Sequence, residues 1–85
     1  MEIEMTYEEM WKQVSELHIL PNTAIEQTPR ILSSDTKEKI SWMTAEEVGK
    51  IVLTAIEEIN HGSIAPLDEL VCKGLIVTCK RRISY

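Results

Sequence analysis

Between Thr44 and Gly62 the chain reads TAEEVGKIVLTAIEEINHG, and its apolar residues recur at a helical spacing. Val48, Ile51, Val52, Ala55, Ile56 and Ile59 gather on one face of a 3.6-residue helix. Thr44 and Glu47 stand as a capping box ahead of this stripe, each side chain positioned to bond the other residue's amide. Glu46 and Glu47 also complement the positive end of the helix dipole. Asn60-His61-Gly62 supplies the exit, with Gly62 suited to a left-handed residue just past the end. The rest of the chain is organised around this helix.

Two positions break the plain amphipathic pattern. Gly49 and Leu53 fall beside the stripe rather than within it. A glycine inside a helix costs about 1 kcal/mol against alanine, so Gly49 needs a local reason. The simpler reason is another element of the same domain packed closely there. The sharper one is a docking edge for a second chain, formed by Gly49, Leu53 and Ile56.

Upstream, Thr6-Tyr7-Glu8-Glu9 reads as a second capping box, and Tyr7, Met10, Trp11, Val14, Leu17 and His18 share a face. The pattern predicts a helix over about residues 7–19, closed by Leu20-Pro21-Asn22. Residues 1–5 read as a frayed tail or a brief edge strand. Thr23-Ala24-Ile25-Glu26 opens another box, but Pro29 follows so soon that a helix of only one or two turns is expected. Residues 30–42 allow a short helix from Asp35 toward Trp42 or a hairpin around Ser34-Asp35-Thr36. The helix is preferred, because no Asn-Gly or Asp-Gly marks a turn.

Past Gly62, Pro66 is a good first helical residue, and Leu67, Leu70 and Val71 start an apolar face. Residues 75–83 are evenly poised. Ile76-Val77-Thr78 is a β-branched run that favours a strand, while the spacing 67, 70, 71, 74, 75, 78 continues a helix. The fold expected is mostly α, a bundle of about four to five helices forming a single small domain over 1–85, with 1–5 and 80–85 as loosely held ends. The alternative is α+β, with a strand or hairpin from 30–42, from 75–83, or from both.

Composition narrows the picture. With 85 residues and 44% apolar content the chain can build one modest core. No apolar run approaches the ~20 residues of a membrane span and no basic-then-apolar leader is visible, so the default expectation is cytoplasmic, with no membrane partner. Through Glu69 the chain holds all fourteen acids and five basic residues, a net −9. Beyond it stand Lys73, Lys80, Arg81 and Arg82 with no acid, a net +4, and the two parts make the overall −5. An acidic body disfavours nucleic acid, and four basic residues are a small footprint for phosphate contacts.

Chemistry is sparse. His18, His61, Cys72 and Cys79 include no pair at the spacing that lets one turn hold zinc, and His18 lies on an apolar face that suits a core histidine. On one helix the two cysteines would stand about 10.5 Å apart along the axis, beyond disulfide reach, so both are read as reduced. There is no nucleophile elbow, HExxH or glycine-rich phosphate loop. The doubled acids Glu8-Glu9, Glu46-Glu47 and Glu57-Glu58 are explained by capping and a solvated face. No enzyme activity, cofactor or metal is expected. A helix-turn-helix over 23–42 is weakly supported, since Lys37 and Lys39 are offset by Asp35 and Glu38.

The leading expectation is a protein-interaction or regulatory module with an unidentified protein partner, a homodimer being one form of it. Trp11 and Trp42 are its candidate aromatic anchors, although aromatic residues in so small a domain commonly fill the core. The alternative is a nucleic-acid-associated transcriptional regulator touching phosphates through Lys73, Lys80, Arg81 and Arg82.

Overall fold

The structure is a computed structural model, and it describes residues 6–83, with the side chains of 81–83 excepted. The edge strand considered for 1–5 and the phosphate contacts considered for the Arg81 and Arg82 side chains lie outside what it describes. Five helices follow in order: α1 Tyr7–Glu16, α2 Asn22–Ile31, α3 Ser34–Ile40, α4 Ala45–Asn60 and α5 Leu67–Ile83. No strand occurs among the described residues. The helical reading of the chain holds, and the α+β alternative falls.

Helix α4 is central, with α1 against one side and α5 against another, while α2 packs on α1 and α3 on α5. Its ends are built as the sequence predicts. The Thr44 hydroxyl accepts from the Glu47 amide at 3.2 Å, and the Thr44 amide donates to the Glu47 carboxylate at 3.1 Å. His61 caps the far end and Gly62 follows at φ 104°, a backbone open to glycine at little cost. Val48, Val52 and Ala55 are buried and meet Met10, Trp11 and Val14 from α1, Val71 and Leu75 from α5, and Ile40 and Met43 in one core. Each large side chain buried there contributes about 1.5–3 kcal/mol.

The first helix ends earlier than its apolar pattern suggests. α1 stops at Glu16 with Leu17 as its cap, and His18 takes a left-handed backbone at φ 55°. That residue turns the chain so that Ile19 folds back over Gly49 and Leu20 enters the core. His18 is therefore exposed at a helix exit, not a core histidine.

The second helix corrects the sequence reading in the other direction. α2 runs ten residues with Pro29 inside it, and its N-cap is Pro21, without a side-chain cap, rather than the Thr23 box. Pro29 sits in the last turn, so it offers no N–H to the Ile25 carbonyl, but the helix ends two residues later at Ile31. Two tertiary contacts hold that turn in place: Thr28 is buried, and the Tyr7 hydroxyl donates to the Pro29 carbonyl at 2.8 Å.

The third helix starts one step before the expected Asp35. Ser33 caps α3 by accepting from the Thr36 amide, and the helix closes at Ile40, short of Trp42. Residues 75–83 complete α5. The β-branched run costs tenths of a kcal/mol per residue in a helix, whereas burying Val71 and Leu75 against α4 contributes several times that amount. Helix α5 begins at Leu67, with the Pro66 carbonyl accepting its first backbone bond from the Leu70 amide at 3.1 Å.

Candidate functional site

A surface groove of about 340 Å³ runs between α4 and α5. Gly74 forms part of its floor because α5 approaches α4 so closely there. A Cβ at residue 74 would stand 2.5 Å from the Ile51 Cγ2. Ile51, Ala55 and Leu70 give the groove an apolar lining, and Val77 forms one lip, 49% exposed. Lys50, Thr54 and Glu58 border it from α4, and Lys73 and Thr78 from α5. Lys50 is paired with Glu46 at 2.9 Å, one turn earlier on an exposed face.

The expected docking edge lies on another flank of α4. Gly49 is buried under its own chain, with its Cβ position 3.3 Å from the Ile19 Cδ1 and 3.5 Å from the Val14 Cγ1. Close intramolecular contact is thus the local reason for this glycine. Leu53 and Ile56 are half-buried and pack against the core beside it. At 100° per residue the three form a single row, turned well away from the Lys50–Thr54 rim.

The two tryptophans occupy opposite environments. Trp11 is 5% exposed and meets Tyr7 edge-on, ring centroids 6.1 Å apart. Its indole N–H is buried without a hydrogen-bond partner. The Tyr7 hydroxyl donates to the Pro29 carbonyl, and its oxygen lies near enough to the Trp11 N–H to be influenced by it. Burial raises the Tyr7 phenol above its ordinary value, assisted by the charge on Asp68 and opposed by the Trp11 N–H. Trp42, in the α3–α4 connection, is 70% exposed and clear of the groove lining. Only Trp42 of the pair is presented at the surface.

A polar clasp ties α5 to the start of α3. The Asp68 carboxylate accepts from the Ser33 amide at 2.8 Å and from the Thr36 hydroxyl at 2.9 Å. Burial pushes the Asp68 carboxyl up, but these donors outweigh it and hold the group below its ordinary range. The clasp is structural in geometry, since Thr36 is fully buried and the carboxylate is turned onto the protein's own donors.

Among the described residues no three His, Cys, Asp or Glu side chains come together as metal ligands. Cys72 and Cys79 are both free on α5. Lys73 and Lys80 are exposed one and a half to two turns apart on α5. Helices α2 and α3 do follow one another across a tight connection, but α3 has only seven residues and its Thr36 and Ile40 face inward. The Lys37 ammonium lies 5.4 Å over the Tyr7 ring, beside a second hollow of only about 50 Å³. No helix among the described residues is long and apolar enough to cross a membrane.

The groove escaped the sequence reading because it exists only if 75–83 is helical. Its one sequence signal is Gly74 within the 67, 70, 71, 74, 75, 78 spacing. The Asp68 clasp left no signal beyond a serine and a threonine three residues apart. Comparison with protein-family models, curated proteins and solved structures finds no match to this chain.

Proposed function

We propose that this chain is a small protein-interaction module and that the α4–α5 groove is the face it presents to a partner. The observation that supports this reading is the groove itself, apolar along its floor, polar along both rims and bordered by the half-exposed Val77. Apolar contact in the centre with polar groups around it is the usual construction of a protein-binding surface. The groove suits a helix laid along it better than a small substrate, because it is an open trough between two rods.

The test is a comparison of immobilised wild-type chain with a Val77→Glu variant in a lysate of the native host. Proteins retained by the wild type and lost from the variant, untagged copies of the chain included, support the groove as the binding face. Identical retention by both overturns it.

A further inference from the structure

The charges that line the groove are Lys50, Glu58 and Lys73, and they are not evenly placed. Ile51 of α4 and Gly74 of α5 touch at its floor, and Lys50 and Lys73 each stand one residue before a member of that contact. Both rims are therefore cationic at the same level of the trough. Helices α4 and α5 form a hairpin, so residues later on α4 lie nearer the connecting loop. Glu58, eight residues past Lys50, borders the groove about 12 Å farther toward that loop.

These three side chains are open to an occupant. Lys73 and Glu58 are exposed and form no ion pair among the described residues. Lys50 is paired with Glu46, but the two side chains are 67% and 63% exposed, and a pair so exposed is weakly held. The Thr54 hydroxyl between Lys50 and Glu58 is already committed, donating to the Lys50 carbonyl at 3.0 Å. An occupant must therefore match two cations at one level and one anion nearer the loop, over an apolar floor. A helix does so with a carboxylate and a basic side chain seven residues apart. That interval spans about 10.5 Å and keeps both groups on one face, beside the apolar stripe. An alkyl carboxylate would meet the two lysines and leave Glu58 without a counterpart.

We infer that the partner of the α4–α5 groove is an amphipathic helix with a carboxylate opposite Lys50 and Lys73 and, two turns along the same face, a cation opposite Glu58. This rests on reading the groove as the interaction face, and the test separates the two. Synthetic helices of about 18 residues with one leucine stripe serve as probes, their binding followed by fluorescence anisotropy. A probe with Glu and Lys seven residues apart should bind roughly tenfold more tightly than one with Lys at both places. Lys73→Glu in the chain should abolish that difference, and Glu58→Lys should shift the preference to a probe with Glu at both places. Val77→Glu should retain the helical circular dichroism and bind none of the probes. Equal affinity for the probes overturns the assignment, as does failure of the Glu–Lys probe to bind at roughly 0.5 mM. So does a dimer of the chain alone that Val77→Glu abolishes, since the occupant would then be a second copy. If the probes do not discriminate while capture from a lysate still depends on Val77, the interaction reading stands and only the charge-matched helix is lost.

Discussion

Gly74 of α5 and Ile51 of α4 stand so close that a single methyl group cannot be placed between the two helices. The Cβ that residue 74 lacks would fall 2.5 Å from the Ile51 Cγ2, nearer than carbon atoms approach without displacement. Ile51 is β-branched and stiff, so that methyl cannot swing aside cheaply. The glycine is therefore the condition for α5 to lie against α4 and for the groove to have its floor.

The two helix glycines should respond oppositely to alanine. At Gly49 the new Cβ meets the flexible tip of Ile19 at 3.3 Å, so the helix-propensity gain of about 0.5–1 kcal/mol should survive as added stability. At Gly74 the same gain is outweighed by a clash worth about 1–3 kcal/mol, and the variant should be less stable. Urea unfolding of both variants measures this. In an Ile51→Ala background the Gly74→Ala change should become neutral or stabilising, a coupling that a double-mutant cycle reads directly.

The Asp68 clasp should make part of the stability pH-dependent. Its folded-state carboxyl lies below the ordinary value of 3.8, so the carboxylate stabilises the fold at neutral pH. That contribution is present above the unfolded-state value and is lost as pH falls through the folded one. Asp68→Ala leaves the buried Thr36 hydroxyl without its acceptor and should cost about 1–3 kcal/mol at neutral pH. That is roughly 4–8 °C of melting temperature per kcal/mol for a domain of this size. The gap between wild type and variant should narrow as the pH falls from the unfolded-state value through the folded-state one, and be smallest below it. A constant gap across the acid range would show that the carboxylate charge plays no part.

Tyr7 supplies the alkaline counterpart. Its phenol is raised above 10.0 by burial and donates to the Pro29 carbonyl, so the neutral form holds the last turn of α2. This stabilisation is complete below the unfolded-state value and disappears as pH rises through the folded one. Tyr7→Phe should cost about 1 kcal/mol at neutral pH and lose the wild type's extra sensitivity above about pH 10. Thermal melts of both proteins from neutral to alkaline pH measure the difference.

The tryptophans should separate cleanly in stability and in fluorescence. Trp11→Ala removes a 5%-exposed ring from the core and should cost about 3–5 kcal/mol. Trp42→Ala, at a ring 70% exposed, should change stability by less than about 1 kcal/mol. Emission from the Trp42→Ala protein should be blue-shifted relative to wild type, because the remaining indole is buried. An unchanged emission maximum would contradict these environments.

What the sequence determined by itself was whatever short-range bonding decides. The Thr6, Ser33 and Thr44 side chains each accept from an amide three residues on; the cap at Thr6 and the full box at Thr44 were legible from spacing, although Glu9 does not return the bond expected of it, and the Ser33 cap lay two residues before the expected Asp35. The whole of α4 was legible in the same way. The tertiary structure decided every segment where local preference was weak or divided. Pro29 remains inside a helix because Tyr7 and the buried Thr28 hold the turn around it. His18 leaves α1 early because Ile19 and Leu20 gain more by turning inward. Residues 75–83 are helical because α4 offers Val71 and Leu75 a surface to bury against, whereas the described chain offers a strand nothing to pair with. A difference of tenths of a kcal/mol per residue is readily overturned by burying one or two large side chains. The groove inherits that dependence, since it is made by two helices whose meeting neither one specifies alone.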